Sequence, residues 1–157
     1  MSKQLVLIAL CLLPVFTTAL VSSNPFRLKG RVYCDTCNAG FETSATTYIA
    51  GATVRVECLD RYTMSLKYTL SAVTDATGTY EMEVPTDHGD QKCECTLVKS
   101  PDSKCAQPSI GRNRATVILT RNNGMNNDAR YANAMGFATT TPLPGCKELI
   151  RSYFADV

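Results

Sequence analysis

Gly30-Arg31-Val32-Tyr33-Cys34-Asp35-Thr36-Cys37 carries an alternating strand straight into a Cys-x-x-Cys. From Leu28 onward, Leu28, Val32 and Cys34 fall on one side and Lys29, Arg31 and Tyr33 on the other. That is the period-two pattern of a half-buried strand. A redox Cys-x-x-Cys opens a helix, whose N-terminus lowers a thiol pKa. This one follows a strand and leads into Asn38-Ala39-Gly40, with no helical pattern behind it. Structural bridges are therefore the better use of its cysteines.

The same alternation recurs along the chain. Val54, Val56 and Cys58 alternate with Arg55 and Glu57, and Tyr80, Met82 and Val84 with Glu81 and Glu83. Cys93, Cys95 and Leu97 alternate with Glu94 and Thr96, and Ala115, Val117 and Leu119 with Thr116 and Ile118; Tyr68, Leu70 and Ala72 form a weaker case. One apolar and one polar face per strand marks an antiparallel sheet with one wet side. Asp75-Ala76-Thr77-Gly78, Asp87-His88-Gly89-Asp90 and Asn122-Asn123-Gly124 supply turns. Leu149, Ile150, Tyr153 and Phe154 change the period and predict a short C-terminal helix. The pattern predicts an all-β antiparallel sandwich or barrel of six or seven strands, forming one domain over residues 24–157.

Residues 1–23 read as a secretory signal peptide: Lys3, then an apolar run from Leu5 to Leu13, then small residues with Val21-Ser22-Ser23 as the favoured cleavage zone. The mature chain is expected in the extracellular space, not in a membrane. Without Lys3 the formal net charge of +2 falls to +1, which gives no footprint for nucleic acid. The chain has no Trp, which weakens a glycan site built on stacked rings. Of eight cysteines, Cys11 leaves with the leader and seven remain, one more than three bridges use. In an exported chain they read as a disulfide framework, and spacing alone does not choose the pairing.

The octapeptide closely resembles the signature of the plant pollen Ole e 1 allergen family. The likeness continues through Ala39-Gly40-Phe41, Gly51-Ala52, Cys58, Gly78 with Tyr80, Asp87-His88, Cys93-Glu94, Cys105, Gly136-Phe137 and Leu143-Pro144 with Cys146. It departs at Asn38, where the family usually has a basic residue, and at Cys95, where it has an apolar one. No Asn begins an Asn-x-Ser/Thr site. The resemblance implies bridges Cys34–Cys105, Cys37–Cys146 and Cys58–Cys93, with Cys95 left as a free thiol. A stretch around Gly51–Val56 and Thr74–Tyr80 also looks like prealbumin-type sandwich modules.

Chemistry is sparse. His88, the one histidine, reads as a polar turn residue: no nucleophile motif accompanies it and no His-Glu-x-x-His spacing exists. Cys34, Cys37, Cys93 and Cys95 make a poor zinc set, because Cys-x-Cys spacing and export both favour bridges. Asp75, Glu81 and Glu83 read as a solvated face and not as a glycosidase pair. No catalytic, cofactor-binding or metal-binding residue is expected. What the resemblance implies is a non-enzymatic, monomeric extracellular plant protein of pollen or pollen-tube development. Its partner would be an extracellular protein, such as a receptor-like kinase ectodomain. The competing expectation is a cell-wall or carbohydrate-associated module using Tyr33, Tyr48 and Tyr62. The expected contact regions are the loop between Cys37 and Gly51 and the Asn122–Asn127 loop; the outward Lys29, Arg31 and Tyr33 could add a partner surface, but single exposed charges are normal.

Overall fold

Strand β1 (Phe26–Asp35) is hydrogen-bonded along both edges, and the rest of its sheet is hung on it. The computed structural model describes residues 24–155. The signal peptide expected over residues 1–23 lies outside them. The remaining elements are β2 (Thr47–Tyr48), β3 (Thr53–Asp60), β4 (Leu66–Val73), β5 (Thr79–Val84), β6 (Gln91–Lys99), β7 (Gln107–Pro108), β8 (Arg114–Val117), β9 (Ala129–Tyr131), β10 (Met135–Ala138) and a helix α1 (Cys146–Ser152).

The first half of β1 pairs antiparallel with β5 and parallel with β9, and its second half antiparallel with β2 and parallel with β10. Strand β7 completes this sheet beside β10. The second sheet is antiparallel, in the order β4-β3-β6-β8. Leu28, Val32, Tyr80, Met82 and Val84 of the first sheet meet Val54, Val56, Cys95, Ala115 and Val117 of the second in one buried core. These are the residues that the alternation assigns to the apolar faces.

The all-β class holds, and the described residues include seven strands of four residues or more. The very short β2, β7 and β9 come in addition. The two parallel pairings of β1 are also additional to the antiparallel expectation. They arise because β9 and β10 return along β1 after long connections, which parallel pairing requires.

Tyr33 corrects the reading of β1. Expected outward, it is buried, and Gly136 stands opposite it on β10. A Cβ on Gly136 would lie 2.6 Å from Tyr33 Cζ, so the missing side chain is what lets the ring lie flat across β10. Burial holds the Tyr33 hydroxyl above its ordinary pKa. Lys29 and Arg31 do face outward: Lys29 Nζ meets Glu81 Oε2 at 2.9 Å, and the Arg31 guanidinium lies 3.3 Å over the Tyr48 ring.

Three bridges staple the sheets. Cys34 is bonded to Cys105 and Cys37 to Cys146, tying β1 to the segment before β7 and to the first residue of α1. Cys58 and Cys93 are bonded as facing residues of β3 and β6, with Cα atoms 4.0 Å apart. The β3–β6 register makes this bridge a rung within one sheet and not a tie between the two. Close facing residues without mutual backbone bonds are the narrow rungs of an antiparallel ladder.

Candidate functional site

The Cys-x-x-Cys turn is built by Asp35. Its carboxylate is buried, with Oδ1 accepting the Ala39 N–H at 2.9 Å and Oδ2 the Gly40 N–H at 2.7 Å. Asn38, at φ 52°, takes the left-handed conformation that its short amide tolerates. Thr36 Oγ1 donates to Ala45 O at 2.8 Å, and Arg112 Nε donates to Gly40 O at 2.7 Å. Phe41 packs edge-on against Tyr153 and Phe154, and the Ser44 N–H donates to the Tyr153 hydroxyl. The loop from Cys37 to Gly51 is thus pinned by a bridge, a carboxylate and α1, and it presents Glu42, Ser44 and Tyr48 outward. The Asp35→Asn variant keeps the shape but loses the charge and one of the two acceptors. It is expected to cost about 2 kcal/mol, with faster exchange of the Ala39 and Gly40 amides. Unchanged exchange at both amides would contradict the role assigned to Asp35.

His88 is not the open turn residue expected. It is buried, its ring lies 4.6 Å from that of Tyr68, and its N–H donates to Leu119 O at 2.7 Å. The Gln91 amide oxygen lies 3.0 Å from Nδ1, which makes Nδ1 the donor and leaves Nε2 to accept from the Thr86 hydroxyl at 3.0 Å. Both ring nitrogens are therefore taken by neutral side chains. The Asp87 carboxylate turns away to the Thr120 hydroxyl and the Gly89 and Arg121 N–H groups. Among the described residues, the ligating atoms of Cys58, Cys93 and His88 lie within 4.8 Å of one another. The two sulfurs are bonded to each other, so that trio offers no thiolate. Cys34 and Cys37, the other half of the zinc set weighed above, are bonded to Cys105 and Cys146.

The three acidic residues Asp75, Glu81 and Glu83 have separate surroundings. Asp75 Oδ1 accepts from the Thr77 hydroxyl and the Thr77 and Thr79 N–H groups, and these bonds, the hydroxyl first, hold its pKa low. Glu81 is paired with Lys29, and Glu83 is exposed on the outer face of β5. Of the tyrosines considered for glycan stacking, Tyr33 is buried, Tyr48 has Arg31 on its ring, and Tyr62 is free at the β3–β4 turn.

Cys95 is the free cysteine among the described residues and is fully buried. Burial pushes its thiol up to about 11. The Tyr80 hydroxyl beside it has no hydrogen-bond partner of normal geometry, and burial raises its pKa too. An acid whose pKa is raised on folding adds stability that is complete below its unfolded value. That stability is lost as pH climbs to the folded value, here from about 9 to about 11. Unfolding in urea at pH 8 and pH 10 is expected to show a loss of about 1 kcal/mol from Cys95. Cys95→Val removes that share and leaves the one from Tyr80, which acts at higher pH. Identical slopes for both proteins would show that the thiol is not buried in its neutral form.

Sequence reasoning missed Arg130. It is buried, and its guanidinium donates to Ile118 O (3.1 Å), Thr120 O (2.9 Å), Asn127 O (2.6 Å) and Ala129 O (2.9 Å). With Arg121, which pairs with Asp128 at 3.0 Å, it also covers the Phe26 ring. The two arginines hold both ends of the exposed Asn122–Asn127 loop. The usable signal was an arginine at a strand start beside a run rich in Asn, where loop carbonyls need donors.

Comparison with known proteins agrees with this architecture. A family model described as "Pollen protein Ole e 1 like" matches residues 24–154. Protein DOWNSTREAM OF FLC of Arabidopsis thaliana is 49% identical over 147 residues, covering 94% of this chain and 90% of that one. Pollen-specific protein C13 of Zea mays is 42% identical over 153 residues, covering 95% and 89%. The crystal structure of the major plantain pollen allergen Pla l 1 superposes with a TM-score of 0.69 at 29% identity, over 77% of this chain and 98% of that one. A family model over nearly all the described residues, with a solved fold and close relatives to match, places this chain in the Ole e 1-like family of pollen proteins.

Proposed function

We propose that this protein is a secreted, non-enzymatic ligand that acts through its surface on an extracellular protein partner, a receptor-like kinase ectodomain being the class to test. The observation that carries this reading is the state of the reactive groups. The His88 ring is held by Thr86 and Gln91, the Cys95 thiol is buried and neutral, and six cysteines are spent on bridges. A scaffold stapled by three bridges presents exposed loops, an arrangement suited to recognition. Burial of Tyr33 and the Arg31 cover on Tyr48 weaken the alternative of a wall or carbohydrate module.

The oxidised protein without residues 1–23 is immobilised and exposed to an extracellular plant extract and to a panel of receptor-kinase ectodomains, with reduced and alkylated protein as control. Retention of an ectodomain by the oxidised form alone is the expected result. Retention of wall polysaccharide or wall glycoprotein alone would replace the ligand reading with the structural one. A monomeric mass in solution is the accompanying expectation, since among the described residues no thiol is exposed to join two copies.

A further inference from the structure

The β3–β4 turn is an unusual place to find large apolar side chains. Asp60 organises it: its Oδ1 accepts the N–H groups of Tyr62 (3.0 Å) and Thr63 (2.8 Å), and its carbonyl accepts that of Met64 (2.9 Å). Met64 stands at φ 55°, a left-handed position where Gly or Asn is the ordinary occupant and a longer side chain is strained. Tyr62 is 95% exposed, and Met64, Leu66 and, across a cleft, Ile118 of the segment after β8 are each more than half exposed. Scattered exposed apolar residues are normal, but two of these four, Met64 and Ile118, face each other across one concavity.

The cleft between them has a volume of about 410 Å³. Met64 and Ile118 form its apolar walls, and Arg61 and Lys92 are the charged residues that line it. Among the described residues no carboxylate lines it; Asp87 and Asp90 face the adjoining hollow instead. Arg61 spends one weak bond on Gly89 O at 3.4 Å, and Lys92 shares Glu94 with Arg114. Both cations keep donors free. Tyr, Met and Arg are the residue types enriched where proteins meet, and an apolar pocket rimmed by charge is the usual form of a hot spot.

We propose that this cleft and the turn above it are the docking site for the partner, and that the segment bound is acidic. It inserts one apolar side chain between Met64 and Ile118, with flanking carboxylates facing Arg61 and Lys92. This rests on the ligand reading of the preceding section and moves the contact region away from the two loops that the sequence singled out.

The probe is a phage library of random 12-residue peptides, selected on the oxidised protein; the best peptide is then resynthesised with a fluorophore. The selected peptides are expected to share an aromatic or aliphatic residue flanked by Asp or Glu. The charge reversal Arg61→Glu with Lys92→Glu is expected to weaken binding tenfold or more, and Tyr62→Ala several-fold. Lys104→Glu, on an exposed loop elsewhere, is expected to leave binding unchanged. Met64→Gly separates a binding role from a structural one. Relief of the left-handed strain is expected to raise Tm by a few degrees while binding weakens. Four results would each overturn the proposal: enriched peptides without acidic residues, no enrichment at all, binding indifferent to the charge reversal, or full binding by the Met64→Gly protein. An ectodomain captured by the oxidised protein and equally by the Arg61→Glu/Lys92→Glu variant would remove this site yet leave the ligand reading standing. Capture of glycan alone would remove both.

Discussion

Replacing Cys34 and Cys105 together by alanine lowers the stability of the oxidised protein by about 4 kcal/mol, the loop-closure entropy of a cross-link spanning 71 residues. The expected fall in Tm is roughly 10–20 °C for a domain of this size. Native-state geometry explains why this bridge matters beyond entropy. Cys34 is at the paired end of β1, whereas Cys105 belongs to the segment leading into β7, a strand of two residues. Two ladder positions hold β7 on β10, so the bridge supplies most of what keeps that segment in place. Removal of Cys58 and Cys93 is the matched control. Its separation is 35 residues, and halving a loop changes closure entropy by only about 0.6 kcal/mol. Entropy alone therefore makes the two losses similar. The control variant is expected to keep a cooperative transition, because β3 and β6 are already paired over eight positions. The Cys34/Cys105 variant is expected to lose protection first around residues 101–109. Urea unfolding with amide exchange reads both. A loss below about 1 kcal/mol for the Cys34/Cys105 pair would show that packing, not the bridge, holds the segment.

The second large effect is expected at Arg130. Arg130→Met keeps the bulk over Phe26 but strands four carbonyls that now share one guanidinium. A buried acceptor left without its donor costs about 1–3 kcal/mol, more when the donor was charged. Among the described residues no carboxylate is bonded to Arg130, so its removal also relieves the desolvation of a lone charge, which offsets part of the loss. The net expectation is about 3 kcal/mol, measured by denaturant unfolding. Arg130→Lys loses less but is not neutral, because an ammonium cannot reach carbonyls on two sides as a planar fork does. The Asn122–Asn127 loop would loosen in both variants, with faster exchange from Asn122 to Asp128. Wild-type stability in Arg130→Met would mean that water serves the four carbonyls as well as the guanidinium does.

These two sites differ in how far they could be read from residue order. The bridge cysteines stand out by type, by compartment and by the octapeptide that contains two of them. Their pairing came with the family likeness. Arg130 carried a weaker mark, since an arginine after an Asn-rich loop is read first as a solvated charge and only second as a donor to loop carbonyls. His88 was misjudged for a related reason. A histidine between two aspartates reads as polar surface, but the chain turns its ring inward onto Tyr68, where Thr86 and Gln91 satisfy it.

Period-two alternation, turn residues and the seven cysteines after residue 23 suffice for an all-β domain, its apolar faces and its short last helix. These features depend on neighbours within a few positions, and residue order records them directly. Four further properties lie elsewhere. The parallel pairing of β9 and β10 with β1, the burial of Tyr33 against Gly136, the rung made by Cys58 and Cys93, and the cleft under the β3–β4 turn all join residues distant in the chain. Strands of two to four residues have too few positions to show a period. A one-residue shift of register would send every side chain of a strand to its other face. Register, and with it every site on this surface, is therefore set by packing of the two sheets and not by local pattern.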